Sequence, residues 1–227
     1  TNKIHPKEEL DKEINELEKV LNKNKKNNTK KWISNKNFRK ALYLGIIIMF
    51  FQQFSGINAI IYYAPILFAK MGFDSDLQRI WLTVIIGLVN VISTIFTVIY
   101  IDKFGRRFIL MTGLIIMLIS CAIVSGSLLI HGVKLSQYFA ILFILIFIIG
   151  FAISMGPIAW IICAEIFPLK IRDFGITITT CANWIGNFLL TISFLTIMTQ
   201  IGAAAVFFIF ALINLFALYI AYKFVPE

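Results

Sequence analysis

The chain has little that an enzyme could use. It holds two histidines in 227 residues, His5 and His131, and neither lies near a nucleophile or a metal-ligand partner. Its three cysteines, Cys121, Cys163 and Cys181, sit in apolar surroundings without metal-ligand spacing, and each reads as a small buried hydrophobe. No glycine-rich loop is present to cradle a phosphate. Charge is sparse, at 15% of residues, and no Asp, Glu, Lys, Arg or His falls in the middle of a long apolar run. These absences exclude nucleophilic catalysis and a metal centre, and no cofactor is expected. They also leave this chain without the ionisable group at depth that a proton carrier needs. A cleavable signal peptide is missing too, because the first forty residues are too polar. The opening Thr, in place of Met, reads as a piece of something longer.

Apolar residues fill the space. The chain is 59% hydrophobic with a mean hydropathy of +0.85, more than a soluble domain of this size can cover. The formal net charge of +9 would suit a nucleic-acid partner, but its distribution does not. Of 21 Lys and Arg, twelve lie in residues 1–40 and most others fall between apolar runs.

Six apolar segments follow one another, roughly 41–69, 80–101, 108–130, 137–162, 174–199 and 203–224. Each exceeds the ~20 residues that cross a ~30 Å hydrocarbon core. Short connections make them helices packed up and down, with no room for a soluble catalytic domain. Before them, residues 7–21 place Leu10, Ile14, Leu17 and Leu21 at helical spacing, with Pro6 suited to a first turn. Residues 1–40 thus read as a linker with one short amphipathic helix, and 225–227 as the stub of a tail. One side of the bundle collects eighteen basic residues and the other three, Lys70, Arg79 and Lys134. The positive-inside bias puts both termini in the cytoplasm of a multi-pass protein in the inner (plasma) membrane.

Polar residues inside these runs are the informative ones. Gln52, Asn90 and Asn183 each lie nine to eleven residues into their spans, about 14–17 Å deep and near the midplane. Amides carry both donors and an acceptor, which suits a neutral, hydroxyl-rich ligand better than an ion. As an alternative, such amides tie helices together. Gln52 and Gln53 point ~100° apart on a helix, so the pair does not serve one helix contact. Gln52 and Tyr63 are nearly eclipsed, whereas Asn58 falls ~120° away on a regular helix. For Asn58 to join them the helix must unwind, and Gly56 is where it can. In the fourth span, Gly156–Pro157 removes a backbone donor and kinks the helix just before Trp160. The first and fourth spans are therefore the interrupted ones, each opening a set of three. Interrupted helices in matching positions of an inverted repeat point to a transporter's binding site. Trp160 and Trp184 add flat faces that pair with the C–H face of a sugar ring, or else pack or anchor at the interface.

The motifs QQFSGINAIIYYAP (52–65), IDKFGRR (101–107), GPIAWIICAEIFPLKIRD (156–173), NW (183–184) and the terminal VPE resemble the sugar porters of the major facilitator superfamily. The resemblance covers residues 35–227 and is nearest to the C-terminal half of bacterial galactose- or arabinose-proton symporters. It implies an all-α membrane protein: a six-helix bundle forming half of the twelve-helix fold, with an inverted three-plus-three repeat. It implies that Gln52, Gln53, Asn58, Asn90, Trp160, Asn183 and Trp184 contact a monosaccharide. Tyr62 and Tyr63 would form an extracellular gate. Asp102, Gly105, Arg106, Arg107, Glu165 and Arg172 would latch the cytoplasmic side, or serve only as positive-inside anchors. Where some sugar porters carry Glu, this chain has Ala152. The implied partners are a hexose or pentose, membrane lipid, an N-terminal six-helix half, and protons handled by that half. The alternatives are an inactive fragment of such a carrier and a non-transporting sugar sensor.

Overall fold

The computed structural model describes residues 34–130 and 134–224, except the side chains of Asp102, Phe104 and Lys134. The expected amphipathic helix at 7–21, most of the linker and the tail at 225–227 lie outside the described residues. The chain is helical throughout the described part, and six of its segments are long and apolar enough to cross a membrane.

The first span begins at Lys36, ahead of the expected 41, because Asn35 caps it: the Asn35 side chain accepts a hydrogen bond from the Asn37 amide at 2.9 Å. This span is three helices, not one: α1 (Lys36–Phe54), α2 (Ile57–Tyr62) and α3 (Ala64–Lys70). The break between α1 and α2 is at Gly56, with φ +102°, a conformation that a side chain resists. The second break follows from Pro65, which has no N–H to donate to the preceding turn. The next two spans are continuous, α4 (Asp76–Phe104) and α5 (Arg106–Leu129). Between them Gly105 turns the chain at φ +79° with open space around it, so its backbone angle, and not crowding, is what favours glycine.

The fourth span is α6 (Lys134–Ile153) and α7 (Met155–Glu165). The interruption lies at Ser154, slightly before the expected Gly156–Pro157. A proline ring clashes with the carbonyl four residues earlier, here Ile153, so the ladder fails upstream of the proline itself. A short 3₁₀ turn (Leu169–Ile171) leads into α8 (Arg172–Ile201), and α9 (Ala203–Phe224) ends the bundle.

In lipid, helices gain little by hiding apolar faces from one another, so close approach matters. The crossing of α5 and α6 shows it. A Cβ on Gly113 would stand 2.0 Å from Ser154 Oγ and 2.6 Å from the Gly150 carbonyl. α5 lies between α6 and α9, α1 packs on α8, and α4 rests mainly on α6. Of the 18-residue apolar stretch in the second span 17% is buried, against 56% of that in the first. One reading from sequence is corrected here. Cys121 and Cys163 are buried, but Cys181 is exposed on α8. An apolar neighbourhood along a membrane chain does not distinguish burial in protein from contact with lipid.

Candidate functional site

Four amides from two spans form a one-way row. Asn58 Nδ2 donates to Gln53 Oε1 (2.6 Å), and Gln53 Nε2 donates to Asn183 Oδ1 (2.9 Å). Asn183 Nδ2 donates to Gln52 Oε1 (2.5 Å). Gln52 Nε2 then donates to the backbone carbonyls of Met155 (2.8 Å) and Gly156 (3.1 Å). The row starts on α2, runs through α1 and α8, and ends on α7 just past the break at Ser154. It joins the two interrupted spans through the fifth. The first of these bonds depends on the unwinding at Gly56. Residues five apart on a regular helix face about 140° away from each other, and the break turns Asn58 back onto Gln53.

Beside the row opens a cavity of ≈ 290 Å³, room for about ten waters. It is lined by Gln52, Gln53, Ile57, Asn58, Tyr62, Phe151, Gly156, Trp160, Asn183, Trp184 and Asn187. The lining carries no Asp, Glu, Lys, Arg or His, so its chemistry is that of neutral donors, neutral acceptors and aromatic faces. Gln52 and Asn183 are almost fully buried, and both amide hydrogens of Gln52 are committed to protein. The free hydrogen-bonding capacity facing the cavity lies with Asn58 Oδ1, the second Gln53 N–H, Asn187 and the two indoles.

Of the seven residues expected to bind substrate, six line this cavity and Asn90 does not. Asn90 is half-buried on α4, where Thr94 Oγ1 donates to its backbone carbonyl (2.8 Å) and lies 3.4 Å from its Oδ1. The two tyrosines also part. Tyr62 borders the cavity, while the Tyr63 hydroxyl donates to the Thr191 carbonyl (3.0 Å) and its ring stacks on Phe194 at 5.3 Å.

At the other end of the bundle, Arg106 and Glu165 form an ion pair, each about half exposed. Arg107 donates to the Tyr222 carbonyl (2.8 Å) and lies over the Tyr222 ring. Gly105 makes the turn beside them. Arg172 opens α8 with a buried Nε that has no hydrogen-bond partner among the described residues. The side chain of Asp102 lies outside the described residues. Reasoning from sequence missed Asn187. It is 7% exposed, lines the cavity and accepts from Thr191 Oγ1 at 3.1 Å. Its spacing of four residues from Asn183 places it on the same helix face, and that signal was available.

The family model described as "Sugar (and other) transporter" matches residues 1–227. The chain is 40% identical over 195 residues to the galactose-proton symporter of Escherichia coli K12, covering 85% of this chain and 42% of that protein. It is 35% identical over 219 residues to the arabinose-proton symporter of the same strain, covering 95% of this chain and 46% of that protein. The fold is similar to the crystal structure of a D-xylose-proton symporter, with a TM-score of 0.73 and 29% identity over 82% of this chain and 43% of that one. The chain therefore spans less than half the length of these relatives.

Proposed function

The chain belongs to the sugar transporter family, and from that premise we propose that it is the half of a monosaccharide carrier whose amides hold the sugar. It is a multi-pass membrane protein. In the proposed reading it lies in the plasma membrane with both termini cytoplasmic. A second six-helix half closes the cavity's open side, and the two rock about the sugar to expose it alternately to each face. That half also supplies the ionisable group for proton coupling, since the lining of the cavity here is uncharged throughout.

The observation that carries this reading is the amide row with its neutral, indole-flanked cavity at the junction of two interrupted spans. Gln52 and Asn183 act as scaffold. Asn58, Gln53 and Asn187 meet hydroxyls, and Trp160 and Trp184 meet the C–H faces of the ring. Each amide–hydroxyl bond adds only about 0.5–1.5 kcal/mol over water. Three of them give about 1.5–4.5 kcal/mol, so binding is weak enough for release on the far side. The names of the relatives make galactose and arabinose the first sugars to try. The test is uptake of labelled galactose and arabinose by proteoliposomes holding the chain with its N-terminal half. Asn58→Ala is expected to raise KM about two- to tenfold. An unchanged KM for every sugar transported would remove the row from the site.

A further inference from the structure

Asn214, on α9, takes no part in the cavity, yet it is 0% exposed. Its Nδ2 donates to the Phe210 carbonyl (2.8 Å) and reaches the Ser55 carbonyl at 3.5 Å, while its Oδ1 has no partner among the described residues. Turning the amide over would press Oδ1 against two carbonyl oxygens, so the nitrogen faces them. A leucine there would remove the unmet oxygen but take away the donor that reaches the Ser55 carbonyl. The amide thus links α9 to the first span at the cost of one unmet oxygen.

Ser55 directly precedes the break in the first span, and α9 meets that break a second time through Phe210. A Cβ on Gly56 would stand 2.6 Å from the Phe210 ring. Phe210 is stacked parallel to Phe194 (6.3 Å, 3°), and Phe194 on Tyr63 (5.3 Å, 19°) at the far end of α2. The piece of helix that carries Asn58 is thus seated at both ends against residues outside the cavity.

We propose that Asn214 and Phe210 are positioning residues for the sugar site: they hold the break at Gly56 and so keep Asn58 turned onto Gln53. This rests on the cavity being a sugar site. Two measurements on Asn214→Leu test it, with Leu212→Ala as a control on the exposed face of the same helix. In hydrogen–deuterium exchange, the amides of Ile57–Tyr62 should exchange about tenfold faster while those of Lys36–Phe54 do not change. In proteoliposomes holding the chain with its N-terminal half, KM for labelled galactose should rise about tenfold with kcat within about twofold. Thermal stability should change little, because losing the unmet oxygen offsets losing the donor to the Ser55 carbonyl. Unchanged exchange at Ile57–Tyr62 overturns the proposal, as does faster exchange with an unchanged KM. If the unaltered carrier takes up no sugar, the reading of the cavity fails, while exchange still decides whether α9 holds the break.

Discussion

Replacing Asn183 separates a polar row from ordinary packing. Its amide sits between Gln53 Nε2 (2.9 Å) and Gln52 Oε1 (2.5 Å), with Met49 O at 3.3 Å. If the site were held by shape alone, Asn183→Leu would be the mild change and Asn183→Ala the severe one, because leucine keeps the branching and the number of heavy atoms. The hydrogen bonds reverse that order. Leucine strands one donor and one acceptor and keeps water from reaching them, at about 1–3 kcal/mol each, or about 2–6 kcal/mol together. Alanine strands the same atoms but opens space toward the ≈ 290 Å³ cavity, whose water can take up the lost bonds, leaving a cost of about 1–2 kcal/mol. Thermal unfolding in detergent, followed with a thiol-reactive dye, reads the difference. Cys121 and Cys163 are buried and become reactive on unfolding, and Cys181, which is exposed, is replaced by Ser so that it adds no background. Asn183→Leu is expected to unfold at the lower temperature. The opposite order would refute the row as a structural element.

Replacing Gln52, Gln53 and Asn183 together by Leu removes three of the four amides and leaves Asn58 at the cavity, where water reaches it, so stability should return to near that of the unaltered chain while sugar uptake is lost; unfolding temperature and uptake rate check it. Gly56→Ala faces both a backbone penalty at φ +102° and an overlap with Phe210. It should cost about 2–5 kcal/mol, and Phe210→Ala in the same chain should recover only the overlap, about 1–3 kcal/mol, in a double-mutant cycle. Arg106→Gln should change stability by less than about 1 kcal/mol, since the pair with Glu165 is half exposed. The exchange of the two charges, Arg106→Glu with Glu165→Arg, should restore any uptake that the single change loses.

The spans were legible because long apolar runs admit few other readings, and the break at Gly56 because a regular helix could not bring Asn58 to its neighbours. Depth along each span correctly grouped Gln52 with Asn183, since both distance and rotation agree there. Asn90 shares that depth but does not line the cavity, because depth says nothing of rotation about the helix axis. That rotation is fixed by packing, and α4 has little packing to fix it. The direction of the amide row was not legible at all: which end of an amide faces which partner depends on atoms brought together from residues more than a hundred positions apart. Asn214 was overlooked for a related reason. A single polar residue in an otherwise apolar helix does not announce that it faces a carbonyl at a break in another span.

The contact of Gly113 with Gly150 and Ser154 leaves no slack between the third and fourth spans. A tilt of α5 carries α6 with it as one lever, and compliance passes to the places where the helical ladder is already open, Gly56 and Ser154. Spin labels fixed at the outer ends of α5 and α6 should therefore keep a constant separation while the carrier works, and labels on α6 and α7, either side of Ser154, should not.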